Sequence, residues 1–195
     1  MIGEDAICCA LGERLVESAL PGWRLARESI NTGGVTKLAK SIGRYRDYAS
    51  HVHPVLCIAD TDGQCAVELL ARWLPTGAGA GLLLRFAVPE AESWVLADRD
   101  AAASFFGLRL AQLTFTPDTI MDPKLEMLRL ARKSRIKAHR QEMVAANLPE
   151  RQGAGYNVHL CRLIREQWSP TRAAEHSPSL RRACSRLREL EGHRP

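Results

Sequence analysis

The chain of 195 residues is 46% apolar and 25% charged, ordinary globular usage, and no apolar run approaches the roughly 18 residues that a membrane span needs. The acidic pair Glu4–Asp5 is not the basic flank of a secretory signal, and the six cysteines show no CxxC pair or zinc spacing, so a cytoplasmic protein without a membrane partner is expected. The net charge of +5 is uneven: residues 1–122 carry 11 basic and 15 acidic side chains, and residues 123–195 carry 16 and 7.

Apolar positions 7, 8, 11, 15, 16 and 20 have helical spacing and predict a helix halted by Pro21 and Gly22. The stretch "WRLARES" (23–29) alternates and predicts a half-buried strand. Two glycines then introduce a helix over residues 35–50. "HPVLCIAD" (53–60) is continuously apolar, as a strand covered on both faces should be. "CAVELLARWL" (65–74) predicts a helix ended by Pro75, followed by a flexible glycine-rich link and a second buried strand, "LLLRFAV" (82–88). From Pro89, a favoured first helical residue, a helix is expected to run to Gly107. Beyond residue 108 no strand is predicted. Helices are expected from the Asp122 cap to residue 144, over 155–168 with Val158, Leu160, Cys161 and Ile164 near one face, and over 177–190 with a Ser177 cap. Helix and strand alternate through the first half, which predicts an α/β fold. The expected division is a three-layer domain with a mostly parallel sheet over residues 1–107. A basic helical extension, packed on that domain, covers residues 108–195.

Where the buried run 55–59 ends, the chain reads Asp60-Thr61-Asp62-Gly63. Residues two apart in an extended segment point the same way, so Asp60 and Asp62 are expected to converge beyond the strand's carboxyl end, where open parallel sheets bind ligands. Two close carboxylates repel unless a cation sits between them, and a hard divalent ion such as magnesium or manganese suits oxygen donors. The same four letters also suit a plain surface turn. Glu4, just before the first helix, is a candidate general acid or base; it equally suits a helix dipole. Glu90 and Glu92 follow the next strand and are candidates for a further metal contact, both facing the site only if the chain is still extended at Glu90. Arg132, Lys133, Arg135, Lys137 and Arg140 form the densest basic run, with Lys124 nearby; they are candidate contacts to a nucleic-acid backbone or simply solvated helix faces. Trp94 and Trp168 sit at amphipathic spacing and read as core.

The segments "GEDAICCAL", "IADTDGQC", "FAVPEAESWVLAD", "DPKLEML", "GYN" and "SPSLRRA", in this order, resemble a family of short, uncharacterised prokaryotic proteins with a TOPRIM-like domain. TOPRIM is the metal-binding α/β module of topoisomerases, bacterial primases and the overcoming-lysogenization-defect nucleases. The resemblance implies phosphoryl-transfer chemistry with Glu4 as general acid or base and Asp60 and Asp62 holding magnesium. Glu90 and Glu92 match the family's paired glutamates. It further implies a nucleic-acid substrate, a role in prokaryotic defence, and a protein partner from a neighbouring gene. Two other readings stay open: a haloacid-dehalogenase-like phosphatase with Asp60 as nucleophile, and a non-catalytic nucleic-acid or protein-binding module with a degenerate site.

Overall fold

The computed structural model describes residues 1–113 and 116–190. Four parallel strands, β1 (Ile2–Gly3), β2 (Ile30–Asn31), β3 (Val55–Asp60) and β4 (Leu82–Ala87), form one sheet in the order β2-β1-β3-β4. Helix α1 (Ala6–Ala19) joins β1 to β2, α2 (Val35–His51) joins β2 to β3, and α3 (Ala66–Trp73) joins β3 to β4.

The sheet is covered on both faces because β3 and β4 alternate within their apolar runs. Leu56, Ile58 and Leu83 enter a core with Ile7 and Leu11 of α1. Val55, Cys57, Ala59, Leu82, Leu84 and Phe86 enter the opposite core with Leu38 and Ile42 of α2 and Leu69 of α3. The result is an α/β arrangement with helices on either side of a parallel sheet.

After β4 come α4 (Ala91–Ala97), α5 (Arg99–Phe106), α6 (Pro123–Lys133) and α7 (Lys137–Glu142), then a hairpin of β5 (Val144–Ala145) and β6 (Leu148–Gln152). Helices α8 (Tyr156–Glu166), α9 (Pro170–His176) and α10 (Pro178–Arg188) complete the described chain. Buried residues of α4, α5, α6, α8, α9 and α10 share one apolar cluster with α1. Among the described residues no helix is long and apolar enough to cross a membrane.

Several expectations are corrected. Residues 24–28 are exposed and irregular, so no residue of the strand predicted over 23–29 is in a strand, and β2 follows it at Ile30–Asn31. Pro89 is not helical: the Val88–Pro89 peptide is cis and α4 begins at Ala91. The helix expected to reach Gly107 breaks at Asp98, whose side chain caps α5 by accepting from the Ala101 N–H. The helix expected to reach residue 144 breaks at Ser134. The β5–β6 hairpin was not anticipated, and Val158 faces solvent at 70% exposure. Trp94 and Trp168 are fully buried, and Asp122 and Ser177 cap their helices as expected.

Candidate functional site

The strand order creates one position where the helices leave in opposite directions. After β1 the chain turns to the α1 face; after β3, its neighbour, it turns to the α3 face. The gap between the carboxyl ends of β1 and β3 is therefore a crevice that no crossover fills, the usual ligand position in open α/β sheets. Glu4 lies on one lip and Asp60 on the other.

Glu4 is held into the crevice by the sheet itself. Its N–H donates to the Ile58 carbonyl at 3.0 Å, and its Oε2 accepts from the Asp60 N–H at 3.1 Å. The helix-capping duty falls to Asp5 instead, whose Oδ1 accepts from the Cys8 N–H at 2.8 Å. Gly3 makes this tight turn feasible: a Cβ there would lie 2.6 Å from both the backbone N and the Sγ of Cys9. Burial raises the Glu4 carboxyl above its ordinary value, with the charges of Asp62 and Asp5 adding to the effect.

Asp60 is the most perturbed acid. Its carboxyl is pushed up to about 9, first by burial and then by the charges of Glu92, Glu4 and Asp5; the Ala91 N–H, donating to Oδ1 at 2.8 Å, works in the opposite direction. A long contact from the Cys8 thiol, 3.9 Å, reaches the same oxygen. Thr61 is buried, and its N–H and hydroxyl both donate to the Pro89 carbonyl, as does the Asp62 N–H. These bonds lock the turn after β3 to the turn after β4. Asp62 is exposed, with a left-handed φ of 48°. It is therefore not part of an extended pair with Asp60: β3 ends at Asp60, and Asp62 sits on a turn that Asp tolerates better than most residues. The electrostatic influence of Asp62 on Glu4 and Glu90 nevertheless keeps it within the acidic group.

The chain is extended at Glu90 (φ −140°, ψ 163°), the condition under which both glutamates can serve the site. Glu90 accepts from the Lys124 N–H at 3.2 Å, joining the start of α4 to the start of α6. Glu92 is buried and accepts from the Tyr156 hydroxyl at 2.9 Å. Burial is the main cause raising both carboxyls, and the Lys124 charge opposes it in each. Lys124 thus belongs to the rim of the acidic group; its Nζ lies 5.8 Å from the Tyr156 ring centroid. Tyr156 and Cys8 were not identified as site residues from the sequence. A fully buried tyrosine needs an acceptor for its hydroxyl, but only the three-dimensional neighbourhood shows that Glu92 supplies it.

The donor set is entirely carboxylate oxygen, the chemistry of a hard divalent cation. Among the described residues no three His, Cys, Asp or Glu side chains form a ready-made metal-holding group. Burial and the neighbouring carboxylates disfavour an ionised Asp60, so a proton or a cation beside it lowers the energy of the site.

The basic candidates lie elsewhere. Arg132 and Lys133 end α6, Arg135 follows the break, and Lys137 and Arg140 lie in α7; all five are exposed. Arg132, where the run begins, lies eight residues beyond Lys124 on α6, about 12 Å along the helix axis. Arg140 is partly committed, donating to the Ser134 carbonyl. Comparison with known proteins gives no matching family model, no matching curated protein and no matching solved structure.

Proposed function

We propose that the protein is a TOPRIM-like, divalent-metal-dependent phosphodiester-cleaving enzyme acting on nucleic acid. The observation that carries this reading is the placement of Glu4 and Asp60 on opposite lips of the switch-point crevice, with Glu92 acting electrostatically on Asp60 from the next strand end. Asp60, Asp62 and Glu92 would hold a magnesium ion, with Glu90 at the edge. A cation bound there supplies neutralisation of phosphate charge and a lowered pKa for water. Glu4, raised by burial, is suited to exchange a proton with the attacking or leaving oxygen. The Tyr156 hydroxyl orients Glu92, and it and the Lys124 charge favour the ionised carboxylate against the effect of burial. The exposed run from Arg132 to Arg140 suits a phosphate backbone, gripped by charge and not by sequence.

The test combines stability with activity. Millimolar magnesium is expected to raise the melting temperature of the wild-type protein by several degrees and to leave an Asp60→Ala, Asp62→Ala double variant unmoved. Glu4→Gln is expected to keep the magnesium response but lose cleavage of DNA or RNA by at least about a hundredfold. An identical thermal response in wild type and double variant removes the metal centre from the proposal. A second reading, a binding module with a degenerate site, draws on the lack of a preassembled three-ligand group among the described residues. It predicts nucleic-acid retention unaffected by either variant. A phosphatase with Asp60 as nucleophile is a third reading, and trapping of a phosphorylated Asp60 by a phosphate mimic would favour it.

A further inference from the structure

A second concavity lies at the opposite rim of the sheet, by the amino ends of β1 and β3. It is a cavity of about 590 Å³, within the usual size range of small-molecule sites. Val16, Leu20, Leu56 and Leu187 give it an apolar floor, contributed by α1, the chain just beyond it, β3 and α10.

Its mouth has a different character. Arg24 and Arg27, from the loop before β2, and Arg44, from α2, line the cavity and are exposed. None of the three has an ion-pair partner among the described residues. Glu28, the acid of the same loop, lines a neighbouring depression and not this cavity. Three like charges at one opening repel each other, and they do so in the half of the chain that is acidic in sum. Guanidinium groups are the side chains whose planar fork best matches a carboxylate or phosphate. Trp23 also lines the cavity, and its indole N–H is buried without an acceptor among the described residues. Such a donor costs free energy until something accepts from it.

Apolar floor and cationic mouth together define the ligand. We propose that this cavity binds an amphipathic anion, a small molecule that places a carboxylate or phosphate head at Arg24, Arg27 and Arg44 and an apolar chain over Val16, Leu20 and Leu56. The site is separate from the acidic crevice and does not depend on any catalytic role for it.

The experiment uses the full chain and three ten-carbon probes below their micellar concentrations: decanoate, decyl phosphate and uncharged decanol. Isothermal titration calorimetry is expected to show saturable binding of one or both anionic probes, with decanol at least about tenfold weaker. Which anion binds tighter identifies the head group. Charge reversal at two exposed positions, Arg24→Glu with Arg27→Glu, is expected to weaken anion binding by at least about tenfold with an unchanged melting temperature. Arg44→Gln, on the other side of the mouth, is the second variant should the loop variant unfold, and it is expected to weaken binding severalfold. Three results overturn the proposal: no saturable binding of either anion, decanol binding as tightly as decanoate, or undiminished binding in the charge-altered protein. So does a dimer in sedimentation that Leu25→Glu dissociates, which would assign the apolar floor to a second copy of the chain.

Discussion

A carboxyl group held at about 9 among other carboxyls keeps its proton at neutral pH unless a cation takes that place, and Asp60 is in this position. In the unfolded chain the same group titrates near 4. Between about pH 4 and about pH 9 the folded protein holds a proton that the unfolded chain has released. Metal-free stability is therefore greatest at the acid end of that window and falls as pH rises, by up to about 1.4 kcal/mol per pH unit. Glu4, Glu90 and Glu92, all raised, contribute with the same sign. Asp60→Asn removes the ionisation with little change of shape. At pH 8 without metal it is expected to be more stable than the wild type, to flatten the pH dependence, and to ignore magnesium; denaturant titrations at pH 5, 6.5 and 8 check this. A wild-type midpoint that does not move with pH would contradict the assignment. At this scale the sequence was informative where chemistry coincided with a strand end. Asp60 was legible because five buried residues precede it. Tyr156 was not, because its partner Glu92 is 64 residues away.

The elements that sequence periodicity placed well are those whose apolar pattern and end signals agree. In α1, β4 and α10 a capping residue or a turn glycine adjoins an end of the element, and β3 is a continuous apolar run closed by Asp60. Misreadings occurred where a tertiary partner decided the outcome. "WVLADRDAAA" is periodic throughout, yet the chain breaks at Asp98 because that buried carboxylate has several distant partners. It accepts from the Ser169 N–H at 2.6 Å and from two guanidinium nitrogens of Arg172 at 2.9 and 2.7 Å, in addition to capping α5. The ion pair ties the α4–α5 corner to α9. Arg172→Ala leaves Asp98 buried with fewer partners, and is expected to cost about 2 kcal/mol of unfolding free energy, discounted because Arg172 itself is half exposed. Urea denaturation measures the loss. Arg172→Lys is expected to restore part of it, since a point charge replaces a two-pronged contact.

Across the whole molecule the two charge poles are joined by α6, which begins at the acidic group and ends in the basic run. If that run grips phosphates, reversing Lys133, Arg135 and Lys137 to glutamate should lower the slope of log binding constant against log salt by up to about 3, with the magnesium-dependent melting shift intact. Filter binding across a salt series gives the slope. The uneven charge of the sequence anticipated two poles but not their separation, because sign is legible in a string of letters and distance is not. Buried apolar residues of helices after residue 107 belong to the cluster of α1. Trp94, from the helix that bears Glu92, donates its indole N–H to Ser179 at the start of α10, and Trp168, just after α8, donates to the Trp94 carbonyl. The helix that carries Glu92 to Asp60 is thus braced through two indoles against the last helices of the chain. Those helices cannot be exchanged for another protein's without rebuilding the seat of Glu92.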